Sequence, residues 1–123
     1  MNNKEITRRT RNFFECGMMG HNAVRNITHL QDNIYRIERT DSRPELRVLI
    51  ADIYICGEGD IIDITYNYKE LDCIVLVGFY NRYSSSAKAL ALSKNIGLFD
   101  MREFFGAVNL VGSRMLNYVK NEK

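Results

Sequence analysis

The sequence CIVLVGFYNRYSSSAKALALSKNIGLFD at residues 73–100 predicts a strand, a helix and a second strand. Its opening run, Cys73–Phe79, is continuously apolar, as expected of a strand that is buried on both faces. The serines at 84–86 can cap a helix over residues 87–95, and Ile96–Phe99 follows as a short strand. Two strands joined through a helix form a right-handed βαβ unit with parallel strands.

Upstream of this unit the apolar residues alternate with a period of two, which predicts a β-hairpin. Leu46–Cys56 and Asp60–Tyr68 are rich in Ile, Val and Tyr, and the sequence Gly-Glu-Gly at 57–59 separates them. A two-residue turn at this point sets a register in which Asp52 lies directly across from Asp63 on the polar face.

The N-terminal part is predicted to be helical. A stripe with helical spacing assigns Phe13 and Phe14 to the core face of a first helix that stops at Gly17. A second stripe predicts another short helix over residues 22–30, and residues 33–38 (NIYRIE) alternate like a strand.

A final helix is predicted to begin after Asp100, which supplies its cap. Gly106 and Gly112 are positions at which this helix can bend or divide. Its apolar stripe is wider than so small a domain can cover, which favours a homodimer or a protein partner bound through this helix. The stripe comprises Met101, Phe104, Phe105, Val108, Val111, Met115, Leu116 and Val119.

These elements predict a single α/β domain over residues 1–123. It has a mixed central sheet of about five strands, with one β-hairpin and one βαβ unit, flanked by N- and C-terminal helices. Its parts are a helical segment at 1–32, the strands and hairpin at 33–79, and the rest of the βαβ unit with the last helix at 80–123.

Composition excludes several classes of protein. The chain is 46% hydrophobic and 26% charged, which is ordinary for a globular domain and too apolar for a disordered one. No apolar run approaches the roughly 18 residues of a membrane-spanning helix, and the N-terminus lacks the apolar core of a signal peptide. The three cysteines, an odd number, fit a reducing compartment. We therefore expect a cytoplasmic protein without a membrane contact.

Charge is distributed unevenly along the chain, although the net charge is only +2. Residues 1–47 carry nine Lys and Arg against six Asp and Glu, residues 48–76 carry one against six, and residues 77–123 carry seven against three. The two basic ends predict phosphate contacts, in particular just past the buried strand, where ligands of open α/β sheets bind. The candidate nucleic-acid-binding residues are Arg8, Arg9, Arg11, Tyr80, Arg82, Tyr83 and Lys88.

The acidic middle segment offers a candidate metal site. The carboxylates of Asp52 and Asp63 would repel each other across the predicted hairpin. A Mg²⁺ ion between them would reverse this repulsion, because it prefers hard oxygen ligands. The alternative is that both side chains are solvated on an exposed face of the sheet.

The segment Cys73–Asn109 resembles the C-terminal half of Mrr-like restriction endonuclease domains, a group with the restriction endonuclease-like, or PD-(D/E)xK, fold. In that family an apolar strand leads through a polar turn to a helix of the type SxxAxxxA, a strand of the type gIxLxD and a closing helix. The matching positions are Ile74–Phe79, Ser84–Ala91, Ile96–Asp100 and Glu103–Phe105, and the match covers about a third of the chain.

The resemblance also implies a catalytic pattern, an Asp near the end of one strand and Glu/Gln/Asp-x-Lys on the next. Asp52 falls at the first position and Asp63 at the second, so both would hold Mg²⁺ and act in catalysis. The lysine position holds Thr65, and Lys69 is the candidate substitute. Because threonine cannot supply the cation, the resemblance implies nucleic-acid binding without efficient cleavage.

We therefore expect a small nucleic-acid-associated protein, with DNA favoured over RNA, of a phage, a mobile element or a host-defence system. Two alternatives stay open. One is an active Mg²⁺-dependent endonuclease that uses Asp52, Asp63 and Lys69. The other is a protein-binding module, such as an inhibitor of a bacterial or phage enzyme.

Overall fold

A computed structural model describes residues 3–120 of the chain, with side chains from Glu5 onward. The strands are β1 (Asn3–Lys4), β2 (Val24–Gln31), β3 (Ile34–Arg39), β4 (Leu46–Ile53), β5 (Ile55–Cys56), β6 (Cys73–Leu76), β7 (Arg82–Tyr83) and β8 (Gly97–Asp100). The helices are α1 (Arg8–Met19), α2 (Glu58–Asn67), α3 (Ser85–Ser93), α4 (Met101–Ala107) and α5 (Gly112–Leu116). None of the helices within residues 3–120 is both long and apolar enough to cross a membrane.

The main sheet is mixed, and its five principal strands lie in the order β2-β3-β4-β6-β8. Strands β2, β3 and β4 are antiparallel neighbours, whereas β4, β6 and β8 are parallel. The short strand β1 adds to β4 in antiparallel orientation. Helices α2 and α3 connect the parallel strands, so residues 3–120 contain two βαβ units. The predicted α/β fold class is confirmed.

The sheet separates two hydrophobic cores, because alternate residues of each buried strand point to opposite faces. Helices α1, α4 and α5 cover one face, and α2 and α3 cover the other. The helix residues buried on the first face include Phe14, Met18, Phe104 and Met115, and those on the second include Ile61, Ile64, Ala87 and Ala91.

The predicted hairpin over residues 46–68 is wrong, because its second half is helix α2. Ile61 and Ile64 have the i, i+3 spacing of one helix face and are buried, whereas the intervening Ile62 is exposed. The Asp60 carboxylate accepts a hydrogen bond from the backbone N–H of Gly57 (2.9 Å) and caps the first turn. The register that placed Asp52 opposite Asp63 is therefore wrong as well.

Strands β2 and β3 form a hairpin instead. The predicted second helix over residues 22–30 is wrong, and residues 1–32 are therefore not wholly helical. Gln31 pairs with Ile34, and the turn residue Asp32 has a φ of 45°, a left-handed conformation that Asp tolerates better than most residues. The predicted strand at 33–38 is confirmed by β3.

The predicted final helix is divided into α4 and α5. Helix α5 begins at Gly112, whose φ of 63° favours glycine. Part of the predicted stripe, including Met101 and Phe104, is buried in the core, whereas Val111 and Val119 are exposed. A homodimer or a protein partner bound through this part of the chain stays a prediction.

The segment between α4 and α5 is held by the buried side chain of Arg39. Its Nη1 donates to the carbonyls of Val108 (3.0 Å) and Leu110 (2.7 Å), and its Nε donates to that of Pro44 (2.8 Å). Burial lowers the pKa of this guanidinium, but three carbonyl acceptors compensate for the lost water. One strand residue thus joins the loop after β3 to the C-terminal part of the chain.

A second polar cluster fastens α1 to the β2–β3 hairpin. The buried Tyr35 hydroxyl donates to the Glu15 carboxylate (2.6 Å) and accepts from Arg11 Nη1 (2.8 Å). Arg11 Nη2 donates in turn to Asn33 Oδ1. Burial, and then the hydrogen bond to Glu15, raise the pKa of Tyr35 from 10.0 to about 12.

We expect Tyr35→Phe to lower the free energy of unfolding at neutral pH by about 1–3 kcal/mol, because Glu15 and Arg11 lose a partner away from bulk water. Since the folded-state pKa is raised, the contribution of the hydroxyl is complete below pH 10 and is lost as the pH rises toward about 12. Urea unfolding should therefore show that the difference in free energy of unfolding between wild type and variant becomes smaller over that pH range. Tyr66→Phe, at a side chain that is 78% exposed, is the control and should change stability by less than about 0.5 kcal/mol. Equal effects of the two variants would contradict the assignment.

Candidate functional site

The site is built where the parallel strands end. Pairing between β4 and β6 extends to Ala51 and Leu76, and beyond these residues the two backbone segments separate. They meet again in the short parallel pair of β5 and β7, in which Ile55 lies beside Arg82 and Cys56 beside Tyr83. The residues between these pairings form a loop at the carboxyl edge of the sheet, where ligands of open α/β sheets bind.

The side chain of Asn81 holds this loop together. Its Oδ1 accepts hydrogen bonds from the backbone N–H groups of Gly78 (2.8 Å) and Ile53 (3.1 Å), and its Nδ2 donates to Asp52 Oδ1 (3.0 Å). The Asn81 N–H also donates to the Gly78 carbonyl (3.1 Å), which closes a four-residue turn. One amide therefore satisfies two backbone donors that the sheet leaves without a strand partner.

Gly78 is required by the closeness of these groups. A Cβ atom at this position would overlap both the Asp52 carboxylate and the Asn81 amide. The strands and the amide thus pack around a backbone that bears no side chain.

Phe79 and Tyr80 occupy the two central positions of the turn. Their side chains are 90% and 75% exposed, and the two rings meet edge to face with centroids 4.8 Å apart. Turn tips are usually formed by small or polar residues. Two large aromatic side chains at such a tip, contributing to neither hydrophobic core, are typical of a binding surface.

The turn forms one side of a cavity that we call the strand-end groove. Its lining includes Phe13 of α1, Phe79, Tyr80 and Asn81 of the turn, and Arg102 and Phe105 of α4. Its volume of about 430 Å³ falls within the range of about 300–1,000 Å³ for pockets that bind small organic ligands.

The far wall of the groove is formed where α1 meets α4. The Phe105 ring lies against Gly17, where an added Cβ would be only 2.9 Å from the ring. His21, just beyond α1, has its Nε2 2.8 Å from the Phe105 carbonyl oxygen. These contacts fix Phe105 and leave Phe13, one turn before Gly17, 59% exposed beside it.

Exposed arginines lie in or next to the segments that line the groove. Arg102 lines it directly, and Arg9 lies one helical turn before Phe13 on the same face of α1. Arg8 is exposed beside Arg9 in the first turn of the same helix. Arg82 follows the turn, with its guanidinium 5.5 Å from the centroid of the Tyr54 ring. The aromatic surface is therefore bordered by positive charge.

The structure divides the predicted nucleic-acid-binding residues into two groups. Arg8, Arg9, Tyr80 and Arg82 are exposed at or near the strand-end groove. Arg11 belongs to the Tyr35 cluster described above and is half-buried. Its guanidinium is therefore engaged in hydrogen bonds within the domain and does not serve as a phosphate contact.

Tyr83 and Lys88 are also engaged within the domain. The Tyr83 hydroxyl donates to the buried Glu103 carboxylate (2.8 and 2.9 Å). Lys88 Nζ donates to the carbonyls of Leu98 (2.7 Å) and Tyr118 (2.8 Å), and burial lowers its pKa. Because their polar groups are bonded within the domain, Arg11, Tyr83 and Lys88 do not fit the predicted contacts with nucleic acid.

The predicted catalytic and Mg²⁺-binding residues do not share one surface of the sheet. Asp52 lies under the turn and accepts from Asn81, whereas Asp63 is exposed on α2. The Thr65 hydroxyl donates to the Ile61 carbonyl (2.8 Å), and Lys69 Nζ donates to the Thr65 carbonyl (3.1 Å). Among the described side chains, no group of three or more His, Cys, Asp or Glu could hold a metal ion. This arrangement does not fit the Mg²⁺ site that the resemblance implies.

Sequence reasoning missed Phe13, Phe79, Arg102 and Phe105. The assignment of Phe13 to the core face was wrong, although its neighbour Phe14 is fully buried as expected. The signal for the turn was present in Gly78 and Asn81, two turn-forming residues that enclose the aromatic pair. The contact between α1 and α4 has no local sequence pattern, because these helices come together only through the order of the strands in the sheet.

Comparison of this chain with protein-family models, curated proteins and solved structures gave no match. The resemblance to Mrr-like domains stays a prediction, and the functional inference rests on the geometry of the groove.

We expect Gly78→Ala to lower the free energy of unfolding by about 1–3 kcal/mol, because the added methyl group displaces Asn81 and Asp52. Gly59→Ala is the matched control. Gly59 lies in helix α2, and a Cβ atom added there meets nothing within 4 Å. It should leave stability unchanged or raise it by up to about 1 kcal/mol. Urea unfolding of the two variants measures both effects, and a neutral Gly78→Ala would show that the turn is not tightly packed.

Proposed function

We propose that this protein binds nucleic acid, with DNA favoured over RNA, at the strand-end groove and without efficient cleavage. The observation that carries the proposal is the exposed pair Phe79 and Tyr80, which lies at the carboxyl edge of the parallel strands and lines a groove together with Arg102. Aromatic rings stack on bases, and guanidinium groups bind phosphates in a planar, two-point fashion.

The arginines supply a local attraction that the small net charge of +2 does not. Arg102 lines the groove, and Arg8 and Arg9 extend from its α1 side. A polyanion that contacts them releases condensed counterions, so its affinity falls as salt rises. Three or four such contacts are few, which favours a weak complex with a modest salt dependence.

Binding without cleavage follows from the positions of the acidic residues. Asp63 projects from α2, which covers the face of the sheet opposite to α1 and α4. Asp52 lies beneath the turn in a hydrogen bond with Asn81. A hydrolytic site would require carboxylates and a cation to converge on one phosphate, and these residues do not converge.

The test is fluorescence anisotropy with labelled single- and double-stranded DNA and RNA over a series of salt concentrations, in EDTA. We expect binding at low salt, and each of Arg9→Gln and Arg102→Gln should reduce the salt slope by about 0.7–0.9. Arg114→Gln is the matched control, because Arg114 is exposed on α5, which lines a cleft at the opposite edge of the sheet. It should leave the slope unchanged.

Two results would overturn this proposal. Absence of binding at low salt would point to a protein partner for the exposed aromatic pair. Cutting of the same substrates on a denaturing gel after addition of Mg²⁺ or Mn²⁺, lost in Asp52→Asn, would support the alternative of an active nuclease.

A further inference from the structure

We infer that the strand-end groove receives an unpaired nucleobase, so that the ligand is a single-stranded segment rather than a duplex. This inference rests on the proposed nucleic-acid binding and assigns the part of the ligand that enters the groove. It is carried by the shape of the groove, by the aromatic rings in its walls and by the polar groups among them.

The aromatic rings are placed for stacking on a base that has left its own stack. Phe79 and Tyr80 project from a turn, and Phe13 faces the same cavity from α1. The faces of paired bases in a duplex are covered by their neighbours, so protruding rings reach them only if the duplex opens. Bases of a single strand present their faces freely, and stacking on aromatic side chains is the main contact of proteins that bind them.

The lining also offers polar groups for the edge of a base. Asn81 Nδ2 has two N–H groups, and Asp52 accepts from one of them. Asp100 accepts from the Glu103 backbone N–H through Oδ1 (2.8 Å), and its carboxylate has further capacity to accept. Both residues line the groove. A donor beside an acceptor matches the pairing edge of a base, which is available only when the base is unpaired.

The carboxylate of Asp100 also argues against a groove that holds the phosphate itself. A phosphate next to Asp100 would be repelled, whereas the amino or imino group of a base would be attracted. The arginines of α1 lie outside the groove, one or more turns from Phe13, where a strand leaving the groove would carry its phosphates. The charges therefore favour a base beside Asp100 and a sugar-phosphate backbone beside Arg102 and the arginines of α1.

The experiment compares four ligands by anisotropy or by competition in EDTA at low salt. They are a labelled single-stranded DNA of mixed sequence, the same strand with abasic sites throughout, the duplex of that strand, and free nucleoside monophosphates. We expect the intact strand to bind about five-fold to 150-fold more tightly than the abasic strand, which is the range for stacking of one base. It should also bind more tightly than the duplex.

The double variant Phe79→Ala/Tyr80→Ala should bind the intact and the abasic strand equally, with its salt slope preserved. Tyr66→Ala is the matched control, because this exposed aromatic side chain lies on α2 and does not line the groove. It should retain the full preference for the intact strand. Circular dichroism of each variant, unchanged from wild type, keeps a folding defect separate from a binding defect.

Each other outcome overturns the inference in a recognisable way. Equal binding of intact strand, abasic strand and duplex would leave nucleic-acid binding standing and refute base insertion. Monophosphates that bind as tightly as the strand would identify a free nucleotide as the ligand. No binding of any ligand would refute the proposed function together with the inference.

Discussion

Beyond the last paired residues of β4 and β6, backbone N–H groups require a new acceptor, and the amide of Asn81 provides it. Because one oxygen serves both Ile53 and Gly78, the two strand ends are held side by side after the ladder has stopped. The turn that closes on this amide must then present its two central residues outward. The position of Phe79 and Tyr80 is thus a consequence of how the sheet ends.

An exposed aromatic pair is costly for a small domain, since burying each side chain would be worth about 1.5–3 kcal/mol. The fold has the means to cover hydrophobic surface, as the burial of Phe104 and Met115 under the divided C-terminal helices shows. The pair is nevertheless left in water beside Arg102 and the arginines of α1. Surface that is both apolar and bordered by positive charge matches a ligand with flat rings and phosphates better than it matches a purely apolar partner.

The parts of the fold that the sequence predicts correctly are those in which local and tertiary preferences agree. The apolar run at Cys73 and the serine caps before α3 indicate the same βαβ unit at both levels. The errors arise where a local pattern imitates another structure. β2 contains two register shifts, and the bulges place consecutive residues Arg25 and Asn26 on the exposed side, which imitates a helical period. For α2, the β-branched residues favoured the prediction of a strand, although the acidic first turn and the Asp60 cap are typical of a helix.

The fold places the acidic and the basic segments of the sequence on opposite faces of the sheet. The acidic middle segment becomes α2 and its flanks, with Glu58 and Asp63 exposed on one side of the sheet. The basic N-terminal segment becomes α1, which lies with α4 on the other side. A polyanion approaching the molecule is repelled by the α2 face and attracted by the α1 and α4 face, where the strand-end groove has its walls. A net charge of +2 thus conceals a separation of charge that would orient the proposed nucleic-acid ligand toward the exposed aromatic turn.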